Sequence, residues 1–121
     1  MNHPEHELQK ACVQWFKLQY PMHRDSIFAI PNGGKRTPQG GRYMKDEGLL
    51  AGVSDLFIAV PYNGWHGFFI EMKTPKNYPT IDQLQFQTNM NKRGYNTAVC
   101  YSVNAFMDEI ERYFDVNNVP W

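Results

Sequence analysis

Leu8, Ala11, Cys12, Trp15 and Phe16 recur at i, i+3, i+4, i+7 and i+8, the spacing of one face of an amphipathic helix. Pro4, Glu5 and Glu7 suit its first turn, and Pro21 ends it after Tyr20. Short apolar runs then replace the helical period. Residues 26–30 (Ser-Ile-Phe-Ala-Ile), 54–60 and 67–73 read as three strands, the last two joined through Pro61-Tyr62-Asn63-Gly64-Trp65-His66 as an antiparallel hairpin. Residues 32–41 are dense in Gly and Pro and form a loop, after which residues 42–50 are expected to form a short helix. Thr80 and Gln83 have the spacing of a capping box, and Leu84, Phe86 or Gln87, and Met90 outline a helix that stops at Gly94. Residues 97–101 are a further strand. Asn104 is the expected cap of a last helix bearing Phe106, Met107, Ile110, Tyr113 and Phe114. The pattern predicts the order α-β-β-β-α-β-α.

The length of 121 residues fits one domain, and 42% apolar with 15% aromatic residues is too much for a disordered chain. No apolar run reaches the 18 residues or so of a membrane span, and the N-terminus lacks signal-peptide character, so a single soluble domain over residues 1–121 is expected, with no membrane partner. Cys12 and Cys100 have neither CxxC nor Cys/His spacing and read as small buried hydrophobes in a reducing cytoplasm. Twelve basic and twelve acidic residues cancel, which at first argues against a polyanionic partner. The total conceals a gradient, because residues 1–100 carry a balance of +3 and residues 101–121 one of −3.

Asp55, Glu71 and Lys73 stand inside strand-like runs, where isolated charges are costly. With the hairpin centred near Gly64, facing residues have numbers summing to about 128, which sets Asp55 opposite Lys73 and diagonal to Glu71. All three then share one face within roughly 5–8 Å, whereas a one-residue slip would scatter them. Two close carboxylates repel unless they share a cation, and their hard oxygens suit Mg²⁺ or Mn²⁺. Metal, water and ammonium are the ingredients of phosphodiester hydrolysis. A plain salt bridge at a sheet end is the competing reading, and spacing alone leaves it open.

Asp55, followed after a gap by Glu71-Met72-Lys73, resembles the Asp…(Asp/Glu)-x-Lys motif of the PD-(D/E)XK nuclease superfamily. The resemblance narrows to the VRR-NUC (virus-type replication-repair nuclease) group. It is carried by Glu7, by Pro31-Asn32-Gly33-Gly34, by Gly48 and Gly52-Val53-Ser54-Asp55-Leu56, by Phe69-Ile70-Glu71-Met72-Lys73, and by Gln83 with Gly94-Tyr95. Ser54 stands where the superfamily name has Pro. The resemblance implies an α/β restriction-endonuclease-like core, a central mixed sheet flanked by helices, with the active site at the hairpin. It further implies a Mg²⁺-dependent DNA endonuclease (Mn²⁺ substituting) for branched or structured duplex in replication, recombination or repair, resembling homodimeric junction-resolving enzymes. Asp55, Glu71, the Met72 carbonyl and Glu7 would hold the metal, Lys73 would position the attacking water, and Gln83 would lie beside them. On a helical wheel Glu7 falls about 40° from Ala11, at the rim of the apolar face, although a first-turn acid also simply complements the helix dipole. Gln83 is equally explained by the capping box. A non-catalytic module with this fold, an exonuclease and a single-strand nuclease remain alternatives.

Residues 32–45 carry Lys35, Arg36, Arg42 and Lys45 with no acid, and Asn32, Gly33 and Gly34 expose backbone N–H groups, so this loop is the expected grip on the DNA backbone. Neither a P-loop nor an HExxH metal site is present: the GxxxxGK spacing is missing, and Lys10 occupies the second His position of His6-Glu7-Leu8-Gln9-Lys10.

Overall fold

The computed structural model describes residues 4–31 and 46–120. Helix α1 (Pro4–Gln19) is followed by a 3-10 helix (Pro21–Ser26), strands β1 (Ile27–Ala29), β2 (Leu56–Ile58) and β3 (Phe68–Met72), helix α2 (Ile81–Lys92), strand β4 (Asn96–Cys100) and helix α3 (Val103–Tyr113). Among the described residues, the 3-10 helix is the one element the pattern does not announce. Pro21 ends α1 but has the φ of a new helical start, and six residues are too few to show a period. Of the helix expected over residues 42–50, residues 42–45 lie outside the described residues; of the rest Asp46 alone is helical, followed by a turn at 47–48 and irregular backbone at 49–50, because Gly48 takes a positive φ of +108.

The four strands form one mixed sheet in the order β1-β2-β3-β4, antiparallel except for the parallel β3–β4 pair that α2 connects. This is the predicted restriction-endonuclease-like α/β architecture. One sheet face, carrying Leu56, Ile58, Phe68, Ile70, Met72 and Cys100, is buried against Cys12 and Phe16 of α1 and Phe106, Ile110 and Tyr113 of α3. Each such fully buried side chain contributes roughly 1.5–3 kcal/mol. Tyr113 is accommodated there because its hydroxyl donates to the Val60 carbonyl at 2.6 Å. Burial pushes the Cys12 and Cys100 thiols up to about 11 and about 12, so both stay protonated and act as hydrophobes, as expected. The opposite face is more thinly covered. Phe86 of α2 meets Phe69 edge-on, but Phe28 at the outer strand is 47% exposed.

Two sequence expectations change. Asn63 and Gly64 both have positive φ, the type I′ geometry, so the turn is centred between them with Tyr62 paired to Trp65. One extra residue before Tyr62 shifts the ladder again, and Leu56 pairs with Ile70 where a sum of 128 would have paired it with Met72. The second change concerns α3. Its cap is Ser102, whose Oγ accepts from the Ala105 N–H at 3.0 Å, so Asn104 already lies inside the helix.

Candidate active site

Extending the β2–β3 register by one residue puts Asp55 level with Glu71 rather than with Lys73. The parity expected from sequence survives because the shift is two residues. Asp55 is anchored by its Oδ2, which accepts the Met72 backbone N–H at 2.8 Å. On the other side of β3, the Lys73 N–H donates to the Cys100 carbonyl at 3.0 Å, so Glu71-Met72-Lys73 is held from both neighbouring strands. Glycine is required just upstream: Gly52 has φ +94, and a Cβ there would lie 2.4 Å from the Asp82 carbonyl in the first turn of α2.

Glu71 is 2% exposed. Its Oε2 accepts from Gln83 Nε2 at 3.1 Å and faces Lys73 Nζ at 3.9 Å, while Oε1 is buried with no hydrogen-bond partner. Gln83 does both things its sequence context allows. Its backbone N–H donates to Thr80 Oγ1, its Oε1 accepts the Thr80 N–H at 2.8 Å, and the remaining amide nitrogen is thereby turned toward Glu71.

The third carboxylate comes from α1. Oxygens of Glu5, Asp55 and Glu71 all lie within 4.8 Å of one another. Burial first, then the neighbouring Asp55 carboxyl, push Glu71 up to about 9, with Lys73 pulling the other way. Glu5 is also raised, by partial burial and then by Asp55. A simple salt bridge does not balance this group. Three carboxylates face one ammonium, so a proton on the buried Glu71 or a divalent cation would offset their repulsion, and the Glu71 oxygen without a hydrogen-bond partner is available as a ligand atom.

No protein-family profile matches the chain, and no curated protein sequence does. A solved structure described as a VRR_NUC domain protein superposes with a TM-score of 0.82 at 24% identity, over 98% of this chain and 93% of that one. The chain has the VRR-NUC fold. Within that fold, Asp55, Glu71, Met72, Lys73 and Gln83 gather at one end of β3, at the first turns of α1 and α2.

Glu7 does not join them. The acid of α1 that comes within 4.8 Å of Asp55 and Glu71 is Glu5, itself exposed, two residues earlier and about 200° round the helix. The expected DNA-binding residues Asn32, Gly33, Gly34, Lys35, Arg36, Arg42 and Lys45 lie outside the described residues. The chain leaves the described part at Pro31, directly after Ile30, whose N–H donates to the Asp55 carbonyl at 2.8 Å.

The two duties of Gln83 can be separated. Gln83→Glu retains a capping-box residue, so thermal stability with metal bound is expected to stay within about 1 kcal/mol. It replaces a donor to Glu71 with a fourth carboxylate. Mn²⁺ affinity, measured by calorimetry, is expected to change at least several-fold, whereas Gln83→Ala lowers both affinity and stability.

Proposed function

We propose that this chain is a Mg²⁺-dependent DNA endonuclease, with Mn²⁺ as an effective substitute, that hydrolyses phosphodiester bonds in branched or structured duplex and works as a homodimer. The observation that carries the reading is the convergence of the Glu5, Asp55 and Glu71 carboxylates, with one Glu71 oxygen buried without a hydrogen-bond partner and Lys73 Nζ facing the other at 3.9 Å. Hard oxygen donors without His or Cys suit Mg²⁺ or Mn²⁺ better than zinc. The Met72 carbonyl is a fourth candidate ligand. The N–H and C=O of a strand residue point to the same side, and the Met72 N–H is directed at Asp55. A divalent ion held there supplies charge neutralisation for the scissile phosphate and lowers the pKa of bound water. Lys73 steadies negative charge and positions the water, while Gln83 fixes the Glu71 carboxylate. The basic residues Lys35, Arg36, Arg42 and Lys45 grip the DNA backbone, as their charge without intervening acids suits.

The test is incubation of purified protein with Mg²⁺ or Mn²⁺ and equal-length four-way-junction, flap, single-stranded and linear duplex DNAs. Internal cleavage of the branched substrates, abolished by EDTA, is expected. Digestion only from ends would make the protein an exonuclease, and bound but uncut DNA at saturating metal would make it a non-catalytic module.

A further inference from the structure

The segment between β3 and α2 has both ends at the site just described. Lys73 opens it, 3.9 Å from Glu71, and Thr80 closes it, locked to the Gln83 that touches the same carboxylate. Between them the chain makes a tight turn, with the Asn77 N–H donating to the Thr74 carbonyl at 3.2 Å. Pro75 cannot take positive φ, so the positive φ of +76 falls on Lys76, and the geometry is that of a type II turn whose glycine position holds a lysine. A second bond joins the Asn77 and Thr74 side chains. The turn is thus rigid and carries backbone strain that a glycine would relieve.

This turn presents Tyr78, 81% exposed, between Asn77 and Pro79. Ile81 and Leu84 follow at three-residue intervals, 73% and 49% exposed. Proteins bury large apolar side chains where they can, and here three are exposed on a segment whose two ends, Lys73 and Thr80, are tied to the buried Glu71 directly and through Gln83. The same segment carries Lys73 and Lys76 and no acid before Asp82, so a polyanion can approach it.

The geometry points to Tyr78 as a stacking platform for an unpaired base of the DNA substrate, with Lys76 on the adjoining phosphate. The inference rests on the nuclease reading and deepens it, since it makes an unstacked nucleotide next to the scissile phosphate the feature selected. An aromatic ring on a pre-ordered turn loses little freedom on binding, and every base offers it a π-face. A continuous duplex keeps its bases stacked on one another and offers Tyr78 nothing. Junctions and flaps release them.

The experiment measures binding by fluorescence anisotropy, with Ca²⁺ in place of Mg²⁺ so that the DNA stays intact. It compares a fully paired duplex with one of equal length containing a short unpaired segment. Tyr78→Ala is expected to weaken binding of the interrupted duplex about 5- to 150-fold, the range of one lost base–aromatic stack, and to leave the paired duplex within about twofold. Tyr78→Phe is expected to restore binding, because the ring and not the hydroxyl makes the contact. Equal losses on both DNAs, no loss, or a Tyr78→Phe variant as weak as Tyr78→Ala would overturn the proposal. So would a fall in the sedimenting mass of Tyr78→Ala, which would make Tyr78, Ile81 and Leu84 a contact between copies of the chain. A wild-type protein that cuts no DNA yet shows the expected binding pattern removes the nuclease reading and leaves the Tyr78 contact standing. One that cuts while Tyr78→Ala binds and cuts like it removes only the Tyr78 contact.

Discussion

Asp55→Asn is expected to lower Mg²⁺-dependent cleavage by about 10³-fold or more while making the metal-free protein more stable. Both effects follow from the same carboxylate. Asparagine keeps the size of the side chain and an oxygen able to accept the Met72 N–H, so the 2.8 Å bond that ties the start of β2 to β3 survives. One of the three acidic ligands loses its charge, which weakens the cation site and removes several kcal/mol of transition-state stabilisation. Asp55 is also a principal reason, after burial, that Glu71 resists ionising. Its neutralisation relieves that repulsion. Single-turnover cleavage and thermal denaturation in EDTA, run on the same preparation, read the two signs together. Cleavage retained within tenfold would remove Asp55 from the site, and a large loss of stability would mean that Asp55 is chiefly structural.

Much of this site was legible in the chain, for physical reasons that differ from residue to residue. Glu71 and Lys73 are two apart in a strand and must share a face whatever the register. Asp55 was less secure. The Asn63-Gly64 turn alone, with Tyr62 paired to Trp65, would put Asp55 and Glu71 on opposite faces; an extra residue before the turn restores the parity. A bulge of this kind leaves no periodic signal, so the turn residues alone do not give the parity that the strands show.

Glu5 is legible on the helical wheel as the α1 acid nearest the buried face. It lies two turns before Cys12, about 20° from it on the wheel, whereas Glu7 is about 140° away. Taking Ala11 as the middle of the apolar face brought Glu7 to the rim; the side chains that are fully buried are Cys12 and Phe16. Ser102 and Asn104 are both good capping types two residues apart, and the sequence alone does not choose between them; the Ala105 N–H, three residues beyond Ser102, makes the choice. Gln83 shows the opposite case, in which two competing readings describe different atoms of one amide.

The buried carboxyl makes stability depend on pH and metal together, and this is the second large effect expected. Glu71 is held at about 9 in the folded protein and returns to about 4.5 when the chain unfolds. Between those values the native state carries a proton that the unfolded state has lost, so stability falls as pH rises, on the order of 1 kcal/mol per pH unit. The contribution is fully present below about pH 4.5 and fully lost above about pH 9. Glu5, raised for related reasons, acts in the same direction. A divalent cation competes with that proton for the same oxygens. Thermal denaturation in EDTA is therefore expected to show the midpoint falling steadily from pH 5 to pH 9, and saturating Mn²⁺ is expected to flatten or reverse the slope by binding the native state alone. Calorimetry in two buffers of different ionisation enthalpy should find about one proton released per ion bound at pH 7. Glu71→Gln separates the carboxyl from every other titrating group, because the amide fills the same space without a charge to gain. Its metal-free midpoint should lose most of the slope and no longer respond to Mn²⁺. A slope that persists in this variant would move the origin of the pH dependence elsewhere, and a wild-type midpoint indifferent to pH and to Mn²⁺ would mean that the three carboxylates do not form a cation site.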